Sequence, residues 1–376
     1  LGQLIVAVEV TDVKSGMYVW GEVFNRPVDE SVAVHEEIAF EVAENLQLRL
    51  DAAEKRRLSL YNKYRQASYL WGLRTEDSLN RAIGLLREVI AEDPEYARAH
   101  AGLAGCYALQ AYYGGLPPQE AYGKARVAAE RALSLEESLA EAHAALGLVK
   151  RDYDWDWRGA ERELKRAVDL NPQDGTSLQW YAELLASIGR FAEAEDSILA
   201  AEEADPTLLG ARAVHGWILI CAGRYREADE QLRKTIRMDP DFRLAQCFMG
   251  ELLVAQGESD AAVAVLENAV EMTSRASRPV SHLAFAYALN GNRDRARQLL
   301  AELRQRKDRG GNVTNYECAI IYVGLGEHDL ALRELEAAVA ERSWQVWTMG
   351  VDPLLAPLHD DPRYRRLLVR AGLPTG

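Results

Sequence analysis

Four acidic side chains, Asp152, Asp154, Asp156 and Glu163, occupy positions one, three, five and twelve of a run, the spacing of a calcium-binding loop. Such a loop needs glycine at its sixth position for a sharp turn, and here that residue is Trp157. The run therefore reads as a rigid turn, with Trp155 and Trp157 wedged between neighbouring helices. Cys106, Cys221, Cys247 and Cys318 form no C-x-x-C pair and fall in expected helices, so they read as small buried hydrophobes in a reducing, cytoplasmic setting. Seven histidines are scattered: His35, His100, His143, His215, His282, His328 and His359. No G-x-S-x-G, phosphate-binding loop or H-E-x-x-H occurs, and the Glu202-Glu203 pair falls on a solvated face. The sequence predicts no catalytic site, no metal and no cofactor: a non-enzyme.

The elements that carry these residues repeat. Pro172, Pro206 and Pro240 are 34 apart, as are Gly189, Gly223, Gly257 and Gly291, and Ala194, Ala228, Ala262 and Ala296. Leu178, Tyr181, Ala182 and Leu185 share one helix face, and Phe191, Ala194, Ile198 and Ala201 share another. Gly189 closes the first helix in a left-handed residue, and Asp205-Pro206 stops the second. Small residues recur where the two helices approach: Ala182 with Ala194, Gly216 with Ala228, Gly250 with Ala262, Ala284 with Ala296. A 34-residue period built from two amphipathic helices resembles the tetratricopeptide repeat (TPR). One such pair cannot bury both faces, so pairs stack into a solenoid.

The expected fold is all-α: a right-handed TPR solenoid of about eight helix pairs, preceded by a small β-hairpin-plus-helix segment and closed by a capping helix. Three domains are expected, residues 1–57, 58–343 and 344–376. In the first, Gln3–Val10 and Met17–Phe24 read as a hairpin around a turn at Thr11–Gly16. Val34, Ile38, Val42, Leu46 and Leu50 line an amphipathic helix from about Asp29 to Leu50. Lys55-Arg56-Arg57 reads as a solvated helix end, and Arg304–Arg309 as cations at a helix C-terminus. The second repeat is expanded at Gly114-Gly115-Leu116-Pro117-Pro118, and the eighth is slipped by one residue. In the tail, Trp344, Trp347, Leu354, Leu355 and Leu358 precede a helix from about Arg363 to Arg370, the cap an open solenoid end needs.

The chain has 376 residues and a formal net charge of −14, which argues against a general nucleic-acid-binding face. No apolar run reaches the roughly 18 residues of a membrane span, and no signal peptide opens the chain. Leu1 stands inside a strand-like run without an initiating methionine, which reads as a fragment.

The run Leu4–Val10, then Gly16-Met-Tyr-Val-Trp20-Gly-Glu22, His35-Glu-Glu-Ile38-Ala39 and Ala43-Glu44-Asn45-Leu46 resembles the end of the TolB-like domain of bacterial multidomain regulators. Tyr153-Asp-Trp-Asp-Trp157, Val351-Asp352-Pro353 and Asp361-Pro362-Arg363-Tyr364 are also similar to that group, in which the TolB-like domain precedes TPR repeats. The resemblance implies a bacterial signalling or transcriptional regulator whose effector is not in this sequence. In the TPR family the first helix of each pair lines a concave groove. That register places Gln179, Glu183, Trp217, Glu251, Phe285 and Tyr316 there, with Trp217 and Phe285 as candidate anchors for a protein or peptide partner. Glu183 and Glu251 predict no affinity for acidic chaperone tails. Two alternatives stand: a small-ligand pocket near Tyr112, Tyr113, Trp155 and Trp157, or self-association as a homo-oligomer through the hairpin edge or terminal repeats.

Overall fold

A computed structural model describes residues 3–11, 18–27, 38, 52–113 and 115–375. The chain divides into two compact units, residues 1–69 and 70–376. In the first, β1 (Gln3–Thr11) pairs antiparallel with β2 (Tyr18–Pro27), Gln3 opposite Pro27 and Ala7 opposite Val23. The hairpin is the expected one, with β2 running past Phe24. Ile5 and Val23 share a face and are exposed, whereas Phe24 on the other face is buried. The turn expected at Thr11–Gly16 and the helix expected over Asp29–Leu50 lie outside the described residues, apart from Thr11 and Ile38. Helix α1 (Ala52–Gly72) carries Lys55, Arg56 and Arg57 near its start.

The second unit is a stack of paired helices. In order they are α2 (Glu76–Glu92), α3 (Ala97–Tyr113), α4 (Pro118–Leu135), α5 (Ala140–Val149) and α6 (Trp157–Leu170). Next come α7 (Gly175–Ser187), α8 (Phe191–Ala204), α9 (Leu209–Cys221), α10 (Tyr225–Met238), α11 (Arg243–Ala255) and α12 (Ser259–Met272). The last pairs are α13 (Ser277–Leu289) with α14 (Arg293–Asp308), and α15 (Asn315–Gly324) with α16 (His328–Ala340). Two 3-10 turns, Trp344–Thr348 and Pro353–Leu358, lead into α17 (Pro362–Arg370).

The period of the sequence is the period of the packing. Gly189, Gly223, Gly257 and Gly291 all have positive φ, between 73° and 79°, and each follows the first helix of a pair. A side chain there would strain the left-handed turn that reverses the chain. Within pairs, a Cβ on Gly250 would lie 2.4 Å from Leu266 Cδ2, and one on Gly216 2.5 Å from Leu232 Cδ2. Gly250→Ala should therefore destabilise the protein by about 1–3 kcal/mol, as overpacked cores do, read as a lower urea midpoint at unchanged slope. The repeat stops differ: Asp205-Pro206 and Asp239-Pro240 close α8 and α10, whereas α12 ends through Ser274 and Arg275, both at positive φ.

The first and second helices of each pair are buried differently. Along α10 only Ala228, Leu232 and Thr235 are buried, one face of an amphipathic helix. Along α9 Ala211 and every residue from Ala213 to Ile220 are buried. The same holds for α11 and α13. A helix buried all round needs cover on both sides, and the second helices supply only one.

Candidate functional site: a groove filled from within

The other side is covered by the end of the chain. Trp344 packs on Tyr112 with ring centroids 4.5 Å apart, and Trp347 meets Trp217 edge-on at 5.4 Å. Tyr316 donates from its hydroxyl to Asp352 Oδ2 at 2.7 Å. Gly350 lies 3.8 Å from the Ser187 carbonyl, measured from where its Cβ would be. Residues 344–352 thus reach first helices far apart in the stack, those of Tyr112, Trp217 and Tyr316. Val346, Met349, Leu354, Leu355 and Leu358 are buried with them.

At the third repeat the chain makes an irregular turn to receive this segment. Lys150–Asp154 is a π-helical turn ending at Trp155, φ 57°. It buries Arg151 completely. The guanidinium lies 4.2 Å from the centre of the Trp347 ring. Its Nε donates to Asp152 Oδ1 at 2.6 Å, Nη1 to Glu183 Oε2 at 3.0 Å and Nη2 to the Tyr112 hydroxyl at 2.8 Å. Tyr112 in turn donates to Asp152 Oδ2 at 2.5 Å. Burial opposes the Arg151 charge, but Asp152, Tyr112 and Glu183 outweigh it and hold the guanidinium charged. Burial pushes the Asp152 carboxyl above its ordinary value against the pull of Arg151. The planar fork suits this site because it can satisfy several acceptors and stack at once. Arg342 closes the same corner: it donates to the Tyr153 carbonyl and lies over the Trp155 ring, and Trp157 Nε1 donates to the Ala371 carbonyl at 2.9 Å.

A second polar joint lies under Asp352. Arg278 Nη2 donates to Glu251 Oε1 at 2.8 Å, and Glu317 accepts from Ser277 and from the Thr314 backbone. Burial raises the pKa of Glu251, and burial with the Glu251 charge raises that of Asp352. Burial and Arg278 push His282 down to about 3, so it is neutral near pH 7, its Nδ1 3.4 Å from Glu251 Oε1 but without a hydrogen bond.

All six expected groove residues are here, on the first helices of successive pairs. Gln179, Trp217, Glu251, Phe285 and Tyr316 are buried, and Glu183 is held by Arg151 and by Gln179 Nε2 at 2.8 Å. Trp217 and Tyr316 face the chain's own residues 344–358, through Trp347 and Asp352, whereas Gln179 lies beside Gly210 and Phe285 beside Gly324. Of the residues expected around a small ligand, Tyr112 is covered by Trp344, and Trp155 and Trp157 by Arg342 and Ala371, whereas Tyr113 is exposed.

The four acids with calcium-loop spacing are dispersed. Asp152 serves Arg151, Asp154 takes both oxygens to Arg126, and Asp156 caps α6 by accepting from Gly159 N. Glu163 accepts from His143 at 2.8 Å and Lys150 at 2.6 Å. The His143 hydrogen bond, with Lys150, lowers the Glu163 pKa to about 2. A depressed acid adds stability above its unfolded value, about 4.3, and loses it as pH falls through the folded value. Urea unfolding should show the wild type more stable than Glu163→Gln above about pH 4.3, with the difference gone near pH 2. Burial pushes the Cys106, Cys247 and Cys318 thiols up to about 12, as small buried hydrophobes.

Residues 156–208 and 214–279 match a tetratricopeptide repeat family model, and residues 277–302 match a second tetratricopeptide repeat model. The repeats of this region are tetratricopeptide repeats. A search of curated proteins gives no match. Among solved structures the chain is similar to the APC/C hetero-tetramer Cut9–Hcn1, at 15% identity and TM-score 0.53, covering 78% of this chain and 52% of that one. It is also similar to yeast Tom70, at 14% identity and TM-score 0.49, covering 85% and 68%. YrrB, a TPR protein with an unusual peptide-binding site, matches at 24% identity and TM-score 0.32, over 55% and 94%. The first of these likenesses shows the fold alone.

Proposed function

We propose that this chain is a non-catalytic protein-interaction scaffold of a bacterial regulatory protein, with its concave face given over to an internal joint and its outer faces free for partners. The TolB-like resemblance supports the regulatory setting, and the repeats support the scaffold. The observation that supports the reading is the seating of Trp347 on Trp217 and of Asp352 on Tyr316, two of the residues expected in the groove. Freeing that segment would expose Trp344, Val346, Trp347, Met349, Leu354, Leu355 and Leu358. Each of these side chains contributes about 1.5–3 kcal/mol by its burial, opposed by the chain entropy the segment loses on docking.

The test is photo-crosslinking with the intact chain. A crosslinker at Leu199 or Met238, both exposed on second helices, should capture a protein partner from a source lysate. Capture from a crosslinker at Glu183 but from neither outer position would restore the groove as the partner site. Self-association is a second reading, favoured by the exposed Ile5 and Val23 on one hairpin face. Light scattering that gives a monomer at high concentration removes it.

A further inference from the structure

A cleft opens on the outer side of the second unit, between α2 and α4, with α3 as its floor. Its volume is about 570 Å3. Ile90, Leu103 and Val127 make it apolar, and Val127 is 68% exposed on its wall. Arg87, Lys124 and Arg131 stand around it, and no carboxylate is among its described lining residues. That bias is notable in a chain of net charge −14. Arg87 and Arg131 donate to neutral hydroxyls, those of Tyr107 at 2.7 Å and Ser134 at 3.4 Å. Lys124 pairs with Glu120 and lies over the Tyr107 ring. Along α4 the cleft runs from Gly123 to Arg131, about 12 Å or two helical turns.

We propose that this cleft docks an acidic amphipathic helix of a partner protein. The proposal rests on the scaffold reading and names the partner's chemistry. An open apolar cleft two turns long fits helix anchors at i, i+3, i+4 and i+7. The cations around it select carboxylates on the flanks of that helix and speed its approach. An enclosed pocket would bury most of a small ligand, whereas this cleft leaves one side to solvent, as a docked helix requires.

The probe is a synthetic fluorescein-labelled peptide with leucines at those four positions and glutamates on both flanks, titrated by anisotropy into the full chain. Binding should weaken as salt rises from 50 to 200 mM, a screening of exposed charges. Val127→Asp and Arg131→Glu, both at exposed positions, should each weaken it at least tenfold with unchanged circular dichroism, and a lysine-flanked peptide should not bind. Three results overturn the proposal: no binding to the full chain, unchanged binding by Val127→Asp, or laurate binding the cleft in place of the peptide. If the peptide fails while a crosslinker at Leu199 still captures a protein, the scaffold reading stands and the cleft proposal falls. If neither binds, both fall.

Discussion

Arg151→Ala should cost at least about 3–5 kcal/mol, the penalty for breaking a buried pair by removing one partner. The change strands more than one charge. Asp152, itself fully buried, loses its 2.6 Å donor, and the half-buried Glu183 and Tyr112 lose donors at 3.0 Å and 2.8 Å. Trp347 loses the cation 4.2 Å from its ring centre. Against a domain stability of about 5–15 kcal/mol, the variant should unfold at a much lower urea concentration, followed by tryptophan fluorescence. Arg151→Lys should not restore it, because an ammonium has no planar fork to reach three acceptors while stacking. A loss below about 1 kcal/mol, the worth of an exposed ion pair, would show that the site is open to water.

Trp347→Ala should cost a similar amount, about 3–5 kcal/mol for a buried aromatic reduced to alanine. The ring is buried between Arg151 and Trp217, so its removal leaves a cavity and an unstacked guanidinium. Trp217→Ala should behave the same way, losing stability rather than only partner affinity, because the indole faces Trp347 and Phe248. The two changes should be non-additive, since the rings touch and share one cavity. Wild-type stability in either single variant would contradict the packing described.

The sequence carried the repeat well, because its markers are backbone requirements. A left-handed turn after each first helix selects Gly189, Gly223, Gly257 and Gly291, and close helix approach selects Gly216 and Gly250. Such demands show as strict spacing. The filling of the groove was less legible. Residues 344–358 follow no repeat, and their contacts with Tyr112 and Arg151 span about two hundred positions. Their apolar residues read equally well as a cover for the last helix pair alone. A signal was nevertheless present: Trp217-Ile-Leu-Ile220 is four consecutive apolar residues on a first helix, more than one buried face requires. The polar partner of the segment was hidden for another reason. Arg151 and Asp152 are adjacent in the chain, and only the π-helical turn directs both side chains inward. Charge spacing in the sequence suggested a calcium loop because it cannot show that Asp154 and Glu163 are already paired with Arg126, His143 and Lys150.

The permanence of the filled groove is tested most directly by native-state hydrogen exchange across residues 344–358. If the segment is part of the core, its protected amides exchange only through global unfolding. Their opening free energy then matches that of α9 and α11 and falls with theirs in urea. If those amides exchange through a smaller opening while α9 and α11 stay protected, the segment detaches by itself, and the concave face is a site that partners can enter.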